Sequence, residues 1–160
     1  ALDFSENMLA MARERYRALG SPMNGRFHLI QKRAEDLPFE KEYDLVVSGF
    51  VLRNLYENID AILGGVYKSL KPGGQVRLLD FTEPPNPVWL KLWRVYMNAS
   101  AAVYGRVLFG KAFPFLYLTQ SAQRFPKSEQ VLAKLSAAGF RDAQAKKFMG
   151  GVIVIYEARK

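Results

Sequence analysis

The chain contains no cysteine and a single histidine. Disulfides, thiolate zinc sites and cysteine nucleophiles are excluded, and no metal site can be assembled from several histidines. No metal is expected. Long hydrophobic runs are missing as well: no uninterrupted apolar stretch reaches the roughly 18 residues of a membrane-spanning helix. The opening Ala1-Leu2-Asp3-Phe4 lacks the basic and apolar regions of a secretory signal, so a cytoplasmic location is expected. Neither Gly-x-Gly-x-x-Gly nor Gly-x-x-x-x-Gly-Lys-Ser/Thr occurs, which removes the familiar phosphate-cradling loops. Negative charge is scarce: 15 Asp+Glu against 23 Lys+Arg leave a formal charge of +8. That sign suits nucleic acid, anionic lipid or an acidic ligand. The basic residues are scattered and form no arginine-rich arm or ribonucleoprotein motif, so nucleic acid is not an expected partner.

What is present is ample core material, 49% hydrophobic and 13% aromatic in 160 residues, the size of one ordinary domain. Ser5-Glu6-Asn7 followed by Met8, Leu9, Met11, Ala12 and Tyr16 reads as an N-capped amphipathic helix that stops at Gly20-Ser21-Pro22. Leu2-Asp3-Phe4 is then the tail of a strand. Phe27-His28-Leu29-Ile30 is expected as a second strand and Leu45-Val46-Val47 as a third. A helix from about Ile59 to Leu70 closes on Lys71-Pro72-Gly73-Gly74, and Gln75 to Phe81 forms a fourth strand. Strands alternating with crossover helices predict a mostly parallel, doubly wound α/β sheet. Pro126-Lys127-Ser128 opens a helix to Ala138, and Phe140 to Lys147 with Val152 to Ala158 resemble an antiparallel pair joined at Gly150-Gly151.

Between these, residues 87–118 read as an aromatic-rich helical insertion or lid within a single domain spanning 1–160, broken near Gly110 to Pro114. Because Leu2-Asp3-Phe4 already reads as a strand end feeding a helix, the domain is expected to be truncated at its N-terminus.

The most informative stretch is Gly49-Phe50-Val51-Leu52-Arg53-Asn54-Leu55, which comes after the apolar run from Tyr43 to Ser48. A strand delivering Arg-Asn just past its carboxyl end puts a cation and an amide where open α/β sheets bind ligands. The other reading is a helix-capping Asn beside a surface Arg. His28 is the one side chain that titrates near neutrality unaided, yet its place inside a strand favours a structural role. Asp80 and Glu83, at the end of the fourth strand, could orient Arg53 or serve as base, or be turn residues before Pro84.

Leu2-Asp3-Phe4-Ser5-Glu6-Asn7-Met8-Leu9, Ala34-Glu35-Asp36-Leu37-Pro38-Phe39, Leu52-Arg53-Asn54, Leu70-Lys71-Pro72-Gly73-Gly74 and Tyr117-Leu118-Thr119-Gln120-Ser121 with Phe125-Pro126 resemble, in order and spacing, the ubiquinone/menaquinone biosynthesis C-methyltransferases. The Leu-Arg-Asn and Tyr-Leu-x-x-Ser-x-x-x-Phe-Pro elements are the specific part, since many class I methyltransferases share Lys-Pro-Gly-Gly. The resemblance implies a Rossmann-like class I methyltransferase fold with an antiparallel C-terminal strand, here lacking the first strand and its glycine-rich turn. It implies S-adenosyl-L-methionine as cofactor and a polyprenyl quinol, a demethylmenaquinol or ubiquinol precursor, as substrate.

Under that resemblance Asp3 accepts hydrogen bonds from the ribose hydroxyls, the logic that places an acid near ribose in dinucleotide folds. A plainer role is to help Ser5 cap the helix. Phe4 and Met8 offer apolar surface to adenine, and Ser48 joins the cofactor residues from the end of the third strand. Ala34-Glu35 lies where the family follows an Asp that contacts the adenine amine. The aligned residue here is Arg33, which has no acceptor, so it either stacks on the ring, leaving the contact to the Ala34 backbone, or is a solvated surface charge. Arg53 stabilises the phenolate needed for ring methylation, and Asn54 holds a quinol oxygen or Arg53 itself.

Trp89, Leu90, Leu92, Trp93, Tyr96 and Met97, then Ala101, Tyr104 and Leu108, read first as a core-facing stripe, with an apolar groove for the prenyl tail as a second use. Lys91, Arg94, Arg106 and Lys111 beside them suit peripheral contact with an anionic inner-membrane leaflet. Unpaired strand edges beside the expected missing strand point to a homo-oligomer or a rearranged sheet. Two other functions stand beside the quinol methyltransferase: a methyltransferase for another small aromatic or lipid acceptor, and a non-catalytic interaction module on the same scaffold.

Overall fold

The computed structural model describes residues 1–20, 27–108 and 126–160. Two short strands, β1 (Leu2–Asp3) and β2 (Ile30–Gln31), pair in parallel around helix α1 (Glu6–Ala18). The larger sheet contains β3 (Tyr43–Gly49), β4 (Leu70–Phe81), β5 (Arg141–Phe148) and β6 (Ile153–Arg159) in the order β3-β4-β6-β5. β3 and β4 run parallel, and β6 runs antiparallel to both β4 and β5. The α/β class and the single reversed strand near the C-terminus agree with expectation. Among the described residues the sheet is not continuous: β1 pairs only with β2, and β3 only with β4.

Helices α3 (Ile59–Ser69) and α5 (Ser128–Ala137) cover one face of the larger sheet. The covering stripe of α3 is Ile59, Ile62, Leu63 and Val66, the spacing that brings side chains onto one side of a helix. It meets Val131 and Leu135 of α5 and Val76, Leu78, Val154 and Tyr156 of the strands in one buried cluster. Leu45 and Val47 of β3, on the other side, are exposed. A four-residue helix α2 (Leu52–Leu55) and a 3-10 turn (Tyr56–Asn58) lead into α3. Helix α4 (Pro87–Leu108) comes after β4, and no described helix is long and apolar enough to cross a membrane.

Two boundaries differ from those expected of the sequence, each for a physical reason. The second strand is Ile30–Gln31 rather than Phe27 to Ile30, because its partner among the described residues, β1, is two residues long. The pairing begins where the Ile30 amide donates to the Ala1 carbonyl, at 2.9 Å. The fourth strand starts at Leu70 rather than Gln75: Leu70 already pairs with Tyr43, and Gly73, at φ 78°, turns the chain within the strand. A Cβ on Gly74 would lie 2.9 Å from the Lys71 carbonyl, so the second glycine is required by close approach. Finally, the first part of the 87–118 insertion is one helix to Leu108. The expected break at Gly110 to Pro114, the side chains of Arg53, Ala101, Tyr104, Arg106 and Leu108, and the Lys111 and Tyr117 to Phe125 elements lie outside the described residues.

The last residue of the chain ties several of these parts together. Lys160 Nζ donates to the carbonyls of Tyr67 (2.5 Å) and Leu70 (2.6 Å) and lies 4.6 Å from the Tyr67 ring centroid. A cation there satisfies carbonyls that the end of α3 leaves open and complements the helix dipole. Replacing Lys160 by Met keeps the stem and removes the charge, and should lower unfolding free energy by about 1–2 kcal/mol. Urea denaturation of the two proteins, compared at equal m-value, checks this.

Candidate functional site

Parallel pairing brings strand ends level. In β3–β4 the register Ser48↔Leu78 and Gly49↔Leu79 sets Gly49-Phe50 beside Leu79-Asp80 at the carboxyl edge. In β1–β2, Asp3↔Gln31 does the same at the smaller sheet. Carboxyl edges of parallel strands are where open α/β sheets place ligands, so the sequence-predicted residues fall into two groups, one at each edge.

At the smaller edge, Asp3 Oδ1 accepts the Ser5 amide at 2.8 Å, and Ser5 Oγ accepts from the Met8 amide at 3.4 Å. Asp3 therefore does perform the turn-and-cap role. A carboxylate has about four lone-pair sites, so this bond leaves acceptor capacity for hydroxyl donors. Phe4 and Met8 are exposed beside it, apolar surface of the kind a flat heteroaromatic ring can cover. The 3-10 turn Ala34–Asp36 comes after β2 and packs on α3, where Leu37 touches Gly65.

Glu35 in that turn is tied to its neighbours through one carboxylate oxygen. It accepts from Asn58 Nδ2 at 3.0 Å and pairs with Arg33 at 3.5 Å, while the Arg33 side chain is 67% exposed. Of the two readings of Arg33, the solvated ion-paired charge is the one adopted. Ala34 is partly buried against the core. The Glu35 carboxyl lies below the ordinary 4.5, chiefly through its own backbone amide and then through Asn58, with Arg33 contributing less.

At the larger edge the chain makes a sharp turn that sequence reasoning missed. Phe50 adopts φ 59°, a left-handed conformation rare for a bulky residue, while its amide donates to the Leu79 carbonyl at 2.7 Å. Its ring lies 4.9 Å from that of Phe81. The turn lets Leu52 drop into the core and starts α2 at once, so that Arg53 and Asn54 come next at the edge. Asn54 is exposed, and Ser48 is partly buried at the end of β3. The signal available in the sequence is the Gly49-Phe50 step directly after an apolar strand.

Below this edge sits Asp80, 1% exposed, with Oδ1 accepting the Phe81 amide at 2.7 Å. Tyr156, on the neighbouring strand, is also buried; its hydroxyl donates to Ser128 Oγ at 3.3 Å, and burial pushes the phenol up. Glu83 pairs with Arg94 of α4 at 2.5 Å. That pair also engages one of the cations expected to face a membrane. His28 lies at the amino end of β2, away from both carboxyl edges, and lines a cavity of about 360 Å³ with Arg13, Tyr16, Arg17, Phe27 and Leu29. The structural reading of His28 fits that position.

The sequence profile of the ubiE/COQ5 methyltransferase family matches residues 1–160. The demethylmenaquinone methyltransferase of Staphylococcus carnosus is 33% identical over 97% of this chain and 62% of its own length. The ubiquinone/menaquinone biosynthesis C-methyltransferase of Brucella canis is 31% identical over 99% of this chain and 58% of its own. The chain thus spans about three fifths of these relatives. Among solved structures, a SAM-dependent methyltransferase from Aquifex aeolicus superposes with a TM-score of 0.66 at 16% identity, over 99% of this chain and 66% of that one. Human N-acetylserotonin methyltransferase in complex with SAM gives 0.63 at 19%, over 99% and 39%. These likenesses show the Rossmann-like fold.

The Glu35–Asn58 contact makes a pH prediction. A carboxyl whose folded value is depressed stabilises fully above its unfolded value and loses that contribution as pH falls through the folded value. Asn58→Ala should move the Glu35 midpoint up toward 4.5 without abolishing the depression, since the backbone amide remains. Carboxyl-detected NMR titration of both proteins measures it.

Proposed function

We propose, from the premise that this chain belongs to the ubiE/COQ5 methyltransferase family, that the protein carrying it is an S-adenosylmethionine-dependent C-methyltransferase acting on a polyprenylated quinol. The observation that carries the reading is the Phe50 turn, which hands Arg53-Asn54 to the carboxyl edge of a parallel pair beside Phe81. S-adenosylmethionine, when bound, supplies an electrophilic methyl group on a sulfonium. The donor set at the smaller edge suits it: a carboxylate acceptor at Asp3 with exposed Phe4 and Met8 beside it. Asp3 binds the ribose hydroxyls, Phe4 and Met8 cover adenine, and the Ala34 backbone takes the amine contact that Arg33, lacking an acceptor, cannot make. Ser48 joins the cofactor residues from the carboxyl end of β3.

Ring methylation requires an electron-rich acceptor. Loss of a phenolic proton leaves an oxyanion that pushes electron density onto the attacking ring carbon. Arg53, permanently cationic, stabilises that oxyanion and orients a water toward the proton, since a guanidinium cannot itself act as base. Asn54 holds a quinol oxygen. Buried Asp80 lies beneath the edge, with Oδ1 accepting the Phe81 amide. Helix α4 is the described part of the lid over the acceptor.

The test is methyl transfer from labelled S-adenosylmethionine to demethylmenaquinol, with ubiquinol precursors and simple phenols as comparison acceptors. Arg53→Ala should lower kcat by about 10²–10³-fold, the scale for losing one oxyanion donor, with partial recovery in Arg53→Lys. Undiminished turnover by Arg53→Ala removes the assigned role. Asp3→Ala loses a charge-assisted hydrogen bond and should weaken cofactor binding by about tenfold or more, read by calorimetry, with little change in kcat at saturation.

One observation favours a different reading. Arg33, at the position where the resemblance expects an acid, pairs with Glu35 and has no acceptor to offer the adenine amine. A non-catalytic module on this scaffold predicts no measurable cofactor affinity in the same calorimetry.

A further inference from the structure

Between β5 and β6 the consecutive residues Met149, Gly150 and Gly151 all hold left-handed backbone, at φ 51°, 66° and 94°. Glycine adopts that region freely, but Met149 carries a side chain and is strained there. The conformation presents the Met149 carbonyl to Trp89 of α4, whose Nε1 donates to it at 3.3 Å. A Cβ on Gly150 would lie 2.6 Å from that nitrogen and 3.0 Å from Cδ1 of the same ring, so the indole sits directly on bare backbone. A Cβ on Gly151 would lie 2.7 Å from Pro85 Cδ, so the linker between β4 and α4 rests on the second glycine in the same way. Core packing alone asks only for an apolar side chain at position 89. The strained carbonyl and the two bare positions are needed because an indole and a proline ring approach so closely.

These contacts fix the root of α4 at the carboxyl end of β4. Phe81 pairs with Ile153, and the Thr82 amide donates to the Val152 carbonyl at 2.9 Å, so the β5–β6 turn lies at that end. Asn86 caps the helix from within the linker, its Oδ1 accepting from the Val88 and Trp89 amides at 2.9 and 3.1 Å. Trp93, four residues beyond Trp89 and so on the same face, is buried, and the Glu83–Arg94 pair ties the linker to a later turn of the helix. From the same end of β4 the Phe81 ring reaches Phe50, whose turn starts α2. One strand end thus carries two elements: α4 through the Trp89 joint, and the start of α2 through the Phe50 turn.

We infer that Trp89 and Gly150 are positioning residues: the indole seated on Gly150 sets how far α4 stands from the larger carboxyl edge, and with it the width of the acceptor site, a role that rests on the function proposed above. Backbone strain that the surroundings hold in place is found where geometry matters to a site, and here Met149 is held by the indole it faces. A methyl group at position 150 has to push the indole outward, and α4 moves with it. The smaller edge, with Asp3, Phe4 and Met8, belongs to a separate pair of strands and is not touched by this joint. The loss therefore falls on the acceptor and spares the cofactor.

In the protein carrying this chain, methyl transfer to demethylmenaquinol is measured together with S-adenosylmethionine affinity by calorimetry, and the Trp89 indole N–H is followed by nitrogen-15 NMR, assigned through Trp89→Phe. Gly150→Ala should shift that resonance and raise the acceptor KM by about tenfold or more, while leaving cofactor affinity within about twofold. Gly73→Ala is the control for backbone strain, because Gly73 has φ 78° with nothing within 4 Å of a Cβ, and it should leave the acceptor KM unchanged. Trp89→Phe keeps apolar bulk and loses the hydrogen bond, and should raise the acceptor KM by about threefold. In that background, adding Gly150→Ala should cost less than about threefold, since the ring nitrogen it meets is gone. Thermal melting shows which variants are folded, and Trp89→Phe carries the test if Gly150→Ala is not. An acceptor KM unchanged in both single variants, an equal rise in Gly73→Ala, fully multiplicative effects in the double variant, or a matching loss of cofactor affinity each overturns the inference. An indole resonance that Gly150→Ala leaves in place overturns the joint whatever the turnover, whereas absence of turnover by the unmodified protein overturns the methyltransferase reading and the acceptor role built on it.

Discussion

The parallel β3–β4 ladder is the constraint on which the rest depends. Its register levels Gly49 with Leu79, and the Phe50 amide extends it by one bond to the Leu79 carbonyl. To make that bond and then let Leu52 fall into the core, Phe50 must take a left-handed φ, at a cost of order 1–3 kcal/mol for a bulky residue. The stacking on Phe81, the burial of Leu52 and the added ladder bond offset that cost. Strain stored where a strand hands over to a helix is common at ligand sites, because it fixes the direction in which the next residues leave the strand. In this chain those residues include Arg53-Asn54.

Several residues with ligand chemistry also hold local structure. Asp3 forms the turn into α1 through Ser5, and Glu35 fastens the 3-10 turn to the start of α3 through Asn58. Both keep acceptor capacity beyond these bonds: Asp3 uses Oδ1 for the Ser5 amide, and the Asn58 and Arg33 contacts of Glu35 both fall on Oε1. How many donors converge on each carboxylate is a property of packing.

Much of the architecture was legible in advance because it rests on local chemistry. Ser5 caps α1, the apolar stripe of α3 has helical spacing, and the Gly150-Gly151 step joins two antiparallel strands. The approximate position of the site also came from a strand delivering Arg-Asn. Less legible were features set by partners distant in sequence. The length of β2 is decided by β1, the strand character of Leu70 by Tyr43, and the glycine at 150 by the Trp89 indole. Glu83 read as a site carboxylate, yet Arg94, on the helix that comes next, claims it. Periodicity predicted one core-facing stripe on α4. It could not separate Trp93, which is buried, from Leu92 and Tyr96, which are not, because all three are apolar and only the neighbouring sheet decides which side faces in.

Asp80 shows how the core and the edge are coupled. Burying a carboxylate costs several kcal/mol unless charge or hydrogen bonds compensate it, so its place in the interior has to be supported by its surroundings. Phe81 supplies its amide, and the Phe81 ring in turn carries Phe50. A change that repacked this pair would disturb both the compensation of Asp80 and the turn that begins α2.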